Sequence, residues 1–445
     1  MSREHPAICL QVGALLVLAM AGNGVGLYCK RLVVGIFWGY DAIAFRMQSM
    51  YGTDRVTRFH LRIDMSDRFS PLEAVWSRRK LLGAAATLPV AMAASGRLLA
   101  AEPVASVSAD AEEAELQALY EAALKDGGKL VVYAGGDTPQ QQDATKLAFA
   151  KRFPGVDIQI TVDYSKIHDV RIDHLIDTQG PVPDVVQLQT LQNFPRWKKQ
   201  GHLLDFKPVS FPGIHSQFRD EDGAWLAIGV LAFSLMFDAS LAAEAPRSPQ
   251  ELAHPKWKGK IASSYPQDDD ATLFLYTQCV RTYGWDWLNA LAQQQVQFAR
   301  GTHSVREAIA AKHALIGTGG SGSLTATDAP VRWAVAEGHP FMAWGQRAAI
   351  LKQAKHANAA KLYMAWQVSR QRQVTYYNGW SVRTDVQPAG GLKPIWEYAN
   401  AHVTAFPEFM QDRALVEHWR QTFALYFGDV QGPPSPGVLG LRPGL

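Results

Sequence analysis

Lys129-Leu130-Val131-Val132-Tyr133 is a run of β-favouring residues closed by Gly135-Gly136, and it reads as a short strand. What flanks it decides the fold. Upstream, residues 111–126 place Leu116, Leu119, Tyr120, Ala123 and Leu124 on one apolar helical face. Gly127-Gly128 then supplies the expected C-terminal stop. Downstream, the spacing predicts a helix from Pro139 to Phe153, with Ala144, Leu147, Ala148 and Lys151 on one face. Val156, Ile158, Ile160 and Val162 alternate as a strand, and His168 to Thr178 is helical again. Pro183-Asp184-Val185-Val186-Gln187-Leu188 is a third strand, followed by a helix from Leu191 to Gln200 that ends at Gly201. Strands alternating with helices imply βαβ units and a mostly parallel sheet. Ligands of such sheets sit beyond the carboxyl ends of the strands. That nominates Gly135, Gly136, Asp137 and Thr138 after the first strand, and Gln189 and Thr190 after the third.

The middle of the chain changes character. Asp220-Glu221-Asp222-Gly223 is a polar turn, and Ala224 to Phe237 is an apolar, aromatic run suited to strands that cross between lobes. Lys256 to Ile261 leads into another strand. Asp268-Asp269-Asp270 precedes an apolar helix, Ala271 to Cys279. Acidic residues there either cap the helix or face a cation or amine. Ser304-Val305-Arg306-Glu307 has the form of a capping box, so a helix should start there, with His303 beside it in a structural role. Gly317 to Ser323 reads as a flexible loop; Gly319, Gly320 and Ser321 would offer backbone N–H groups to an oxyanion. The tail, Gly432 to Leu445, holds four Pro and four Gly and reads as irregular.

Composition narrows the function. Hydrophobic residues are 47% and charged residues 19% of the chain, which excludes wholesale disorder. The formal charge of +3 is unevenly placed: residues 1–101 carry 12 Lys and Arg against 6 Asp and Glu, leaving 32 against 35 in the rest. The body is therefore mildly acidic and has no long basic run, which argues against a nucleic-acid partner. Cys9 and Cys29 lie near the amino terminus and Cys279 stands alone in the body, so no disulfide framework or Cys/His zinc spacing exists there. Cys279 reads as a small buried core residue.

Part of the basic excess belongs to a leader: Ser77-Arg78-Arg79-Lys80 opens 16 uncharged residues, Leu81 to Gly96, and small residues follow to Ala101. That order is a signal peptide, too short and too rich in Ala for a membrane span of about 20 apolar residues. The arginine pair, with Leu81 two places on, resembles the twin-arginine export signal. Met65 begins a conventional leader, so residues 65–101 are read as the cleaved signal. Residues 1–64 are read as an early start, or as an anchor through Ala7 to Tyr28, which has 22 residues without charge.

The body resembles a known family. Lys129 to Tyr133, Pro183-Asp184-Val185-Val186, Asp222-Gly223-Ala224-Trp225, His254-Pro255-Lys256-Trp257-Lys258-Gly259-Lys260 and Gly379-Trp380-Ser381-Val382-Arg383-Thr384-Asp385-Val386 stand in order. The series is similar to that of the type II substrate-binding proteins of ABC importers, the class that includes ferric-iron-binding proteins. The resemblance implies an α/β, periplasmic-binding-protein-like II fold: two α/β lobes with a hinge and a central cleft. Lobe 1 would comprise residues 102–235 and 345–445, and lobe 2 residues 236–344. It also implies a periplasmic monomer that captures a small ligand and delivers it to an ABC permease without covalent chemistry, while the arginine pair of the leader points to the twin-arginine export machinery as a further partner.

Iron capture in that family uses a pair of adjacent tyrosines. Tyr376-Tyr377 is such a pair, but it directly precedes the late Val-Arg-x-Asp-Val segment rather than lying near Gly317 to Ser323. The histidine expected after the first strand is replaced by Gly135-Gly136-Asp137. A bound iron is therefore disfavoured, and no cofactor is expected. The ligand-binding residues proposed from sequence are Gly135, Gly136, Asp137, Thr138, Gln189, Thr190, Asp268, Asp269, Asp270, Gly319, Gly320 and Ser321. An enzyme on the same fold is the weaker alternative: no G-x-S-x-G elbow, H-E-x-x-H helix or P-loop is present.

Overall fold

A computed structural model describes residues 35–37, 44–46, 108–322, 329–375 and 379–437. The leader read from Ser77 to Ala101, Ser323 and the pair Tyr376-Tyr377 lie outside the described residues. The chain divides into two units, residues 1–95 and 96–445. In the first, β1 (Gly35–Phe37) and β2 (Ala44–Arg46) pair antiparallel.

The second unit opens with α1 (Ala109–Lys125), capped by Ser108 and ended by Gly127 and Gly128, both at positive φ. Then follow β3 (Lys129–Gly135), α2 (Asp143–Arg152), β4 (Asp157–Asp163), α3 (Ser165–Asp177), β5 (Val185–Leu188), α4 (Asn193–Lys199) and β6 (Leu203–Leu204). The alternation read from sequence is present, with one difference of detail. The helix expected from Pro139 begins only at Asp143, and the face it buries is Thr145 and Phe149. Leu147 is 70% exposed. Phe149 wins the inward position because it meets Phe153, Tyr363 and Trp366, with ring centroids 5.0–5.6 Å apart.

The chain crosses between two sheets twice. β7 (Leu226–Phe233) lies in the first sheet and β8 (Leu235–Asp238) in the second. After β9 (Ile261–Ser264), α5 (Asp270–Tyr283), α6 (Trp285–Ala292), β10 (Gln297–Ala299), α7 (His303–Ala310), β11 (Ile316–Thr318) and β12 (Val331–Ala334), it returns through β13 (Met342–Leu351). Ser234, between β7 and β8, accepts on its Oγ a hydrogen bond from the Ala336 amide at 3.0 Å. The two crossings are thus tied side by side.

The first sheet runs β4-β3-β5-β13-β6, with β7 also paired to β13. β3 is parallel to β4 and β5, whereas β13 is antiparallel to β5, β6 and β7. The sheet is therefore mixed rather than mostly parallel, because the returning strand enters from the opposite end. The second sheet runs β10-β9-β11-β8-β12, again with parallel and antiparallel pairs.

The carboxyl-terminal third contributes α8 (Ala357–Gln367), α9 (Arg370–Thr375), α10 (Ala405–Gln411) and α11 (Arg413–Phe427). α8 packs on α1 and the first sheet. α10 and α11 instead pack against α5, although α10 also touches β13. Phe406 and Phe409 stand 5.3 Å from the ring of Phe274 and draw the last helices toward the second sheet. Arg383 is fully buried between Glu112 of α1, at 2.7 Å, and Asp385, at 2.7 Å. That ion group fastens the late Val-Arg segment to the first helix.

Candidate functional site

The carboxyl ends of β3 and β5 and the first turn of α3 face the amino end of α5, and a cleft opens between them. Of the residues proposed from sequence, Gly136, Asp137, Gln189, Thr190, Asp268, Asp269 and Asp270 line this cleft. Gly135 is buried behind it; a Cβ there would lie 2.0 Å from Ser165 Oγ, so the glycine lets α3 approach β3. Thr138 sits in the following turn and is not part of the wall.

Gly319, Gly320 and Ser321 do not line the wall either. The segment read as a flexible loop begins as β11, the middle strand of the second sheet, and Gly319 and Gly320 are buried. A Cβ on Gly319 would meet Ser264 Oγ at 2.8 Å, and one on Gly320 the Thr302 carbonyl at 2.9 Å. These glycines serve close packing. Ser321 bridges to Phe233.

Asp137 reaches from the first sheet to the second. Its Oδ2 accepts from the Thr302 amide at 2.8 Å, the Thr302 hydroxyl at 2.7 Å and the His303 amide at 3.2 Å. The carboxylate thereby caps α7 from the opposite lobe, where free N–H groups and the helix dipole favour negative charge. The capping box expected from Ser304 does not form, since Ser304 Oγ donates to the Gly301 carbonyl. Burial acts to raise the Asp137 carboxyl, but hydrogen bonds from His303 and Thr302 outweigh it and hold it below the ordinary range. The same contact, at 3.6 Å from the ring Nδ1, raises His303.

The three consecutive aspartates divide the work. Asp269 is the N-cap of α5, accepting on Oδ1 from the Thr272 amide at 2.8 Å and hydroxyl at 3.0 Å. Asp268 bonds Lys166 of α3 at 2.5 Å and lies 3.1 Å from Arg300, forming a second interlobe contact. Asp270 pairs with Arg420 of α11 at 2.5 Å. Asp269 has no cationic partner; burial, with Asp137 and Asp270 nearby, pushes its carboxyl up to about 7. Asp169, inside α3, is likewise pushed up to about 6 by burial, with Asp270 adding to it.

Sequence reading missed Tyr164, Ser165 and Lys166, which complete the wall from the first lobe, and Phe406, which comes from α10. The signal was available for the first three: they follow directly the strand Val156 to Val162, at its carboxyl end. Trp344 joins them from β13. Burial, with Asp137 and Asp268 beside it, raises the Tyr164 phenol. Two wall residues hold buried polar atoms without partners: Thr190 Oγ1, on a residue 3% exposed, and Trp344 Nε1, on a residue 1% exposed. Among the described residues, no three His, Cys, Asp or Glu side chains converge closely enough to hold a metal ion. Cys279 is buried, and burial pushes its thiol up.

Residues 180–375 match the family model for bacterial extracellular solute-binding protein. That match covers 196 of the 445 residues and makes this stretch similar to the extracellular solute-binding proteins. Solved structures share the fold of this protein. One is the substrate-binding protein of an ABC transporter from Agrobacterium tumefaciens (15% identity, TM-score 0.56, covering 68% of this chain and 96% of that one). Another is iron-bound HitA from Pseudomonas aeruginosa (16%, 0.53, 66% and 99%). A third is AfuA from Actinobacillus pleuropneumoniae with fructose-6-phosphate bound (18%, 0.53, 67% and 99%). A search of curated proteins found no match. No described helix is long and apolar enough to cross a membrane.

Proposed function

We propose that this protein captures a small solute in the cleft between its sheets and delivers it to an ABC permease. One observation carries the reading: the cleft is walled from both lobes, and the bonds from Asp137 to Thr302 and His303 and from Lys166 to Asp268 join the lobes at its edge. Contacts of this kind form when two lobes rotate together about paired crossings, and Ser234–Ala336 marks that hinge. The work is binding and release, with no covalent step. Ser77-Arg78-Arg79-Lys80 and the uncharged stretch after it support twin-arginine export to the periplasm with removal of the leader.

The test is small-angle scattering of the purified protein before and after its solute is stripped and restored. The expected result is a smaller radius of gyration with solute. An unchanged radius with a tightly bound solute would overturn the hinge reading. Iron is the second reading, kept because Tyr164 and four aspartates stand in the wall. A raised phenol opposes the phenolate that a hard cation prefers, so metal analysis of the purified protein is expected to find no stoichiometric iron.

A further inference from the structure

The cleft's charges are unequally engaged. Lys166 donates to both the Asp268 carbonyl, at 2.9 Å, and its carboxylate. Arg300 faces Asp268 and donates to the Pro433 carbonyl, and Arg420 faces Asp270. The N-terminus of α7, which would otherwise attract an anion, is filled by Asp137. An incoming anion would therefore find each of these cationic positions already paired with a carboxylate of the chain. Carboxylate oxygens, by contrast, remain: Asp269 uses only Oδ1 and Asp270 only Oδ1.

The wall adds an independent requirement. Thr190 Oγ1 and Trp344 Nε1 are buried at the cleft and bond nothing in the protein. A buried indole N–H left unpaired is costly, and it asks for an acceptor on whatever fills the cleft. Tyr164, Trp344 and Phe406 add aromatic surface to the same wall.

We infer that the solute is a small organic amine, its ammonium group held by Asp269 and Asp270 and an uncharged oxygen of the same molecule held by Thr190 and Trp344. This rests on the capture reading above. The lack of three converging His, Cys, Asp or Glu side chains among the described residues favours an organic cation over a metal ion. The raised carboxyl of Asp269 agrees, because Asp137 and Asp270 repel its charge and a cation would relieve that repulsion.

The test is calorimetric titration of the full chain, stripped of solute, with ethanolamine, a longer amino alcohol, putrescine, inorganic phosphate, fructose-6-phosphate and ferric citrate. An amino alcohol is expected to bind best, to shrink the radius of gyration and to release protons near neutral pH. Asp269→Asn, which keeps the helix cap, and Asp270→Asn should each weaken it about tenfold to a hundredfold. Trp344→Phe, which keeps the ring, should weaken amino alcohols by about tenfold and putrescine far less. Binding of phosphate, the sugar phosphate or ferric citrate with no amine bound overturns the amine assignment and leaves the capture reading intact. If no probe binds or changes the radius, both readings are overturned.

Discussion

Replacing Asp137 by alanine removes the hydrogen bonds that cross from the first lobe to the start of α7. Three donors converge on one oxygen, at 2.7, 2.8 and 3.2 Å. A hydrogen bond to a charged group contributes about 1.5–3 kcal/mol, and three sharing an atom are not additive. Taking the latch as worth about 3 kcal/mol, the closed form should lose roughly 150-fold in its equilibrium with the open one. The apparent affinity for solute should fall by a similar factor, because only the closed form presents both walls. The assay is a double-mutant cycle with Thr302→Val, read as solute affinity and as scattering radius. Thr302→Val removes one hydroxyl bond from the other side, so its coupling with Asp137→Ala should be about 1 kcal/mol, near fivefold. Additive effects, with a coupling near zero, would refute the latch and leave Asp137 as a residue that touches only solute.

Other expectations follow from the same contacts. Asp269 has a folded-state carboxyl near 7 against an ordinary unfolded value of about 3.9. Between those pH values the unfolded chain gives up its proton first, so native stability should fall as pH rises from about 4 to 7 and then level off. Asp269→Asn should flatten that slope in melting temperatures taken across the range; a slope unchanged by the substitution would contradict the assignment. Arg383→Met leaves Glu112 buried without its cation and should cost about 3–5 kcal/mol in denaturant unfolding. Ser435→Ala removes the bond from the tail to buried Asp163, at 2.7 Å, while Arg300 still holds the Pro433 carbonyl on the other lobe. Solute release, followed by stopped flow, should quicken by up to about tenfold.

How much of this was legible depended on whether a feature was local. Lys129 to Tyr133 and Val185 to Leu188 declared themselves because a buried central strand needs continuous β-branched or apolar residues, whatever lies elsewhere. Asp137, Gln189 and Thr190 followed by rule from the ends of those strands. Leu147 misled because the apolar face it shared with Ala144 and Ala148 was weaker than the single aromatic anchor at Phe149, whose partners lie more than 200 residues away. Ser304 misled for the same reason. Its sequence carries a complete capping signal, yet the α7 amides are taken by a carboxylate from the other lobe. Gly319 and Gly320 looked like an anion loop, and only the neighbouring strands show that they are there for want of space.

That last contrast bears on how a solute class can be read from a cleft. Glycine-rich turns, a helix N-terminus and basic residues are all present in this protein, and counted along the chain they favour an anion. The fold assigns them differently. The glycines pack β11, the α7 N-terminus holds Asp137, and Lys166, Arg300 and Arg420 each face an aspartate. A solute meets only groups that the protein has left unengaged, since breaking an internal ion pair to make an external one gains little. Here Asp269 has no cationic partner, Asp270 meets Arg420 through one oxygen only, and an indole N–H and a threonine hydroxyl bond nothing in the protein. The charge of the solute is therefore set by which side chains remain without partners, and in this cleft those that carry charge are acids.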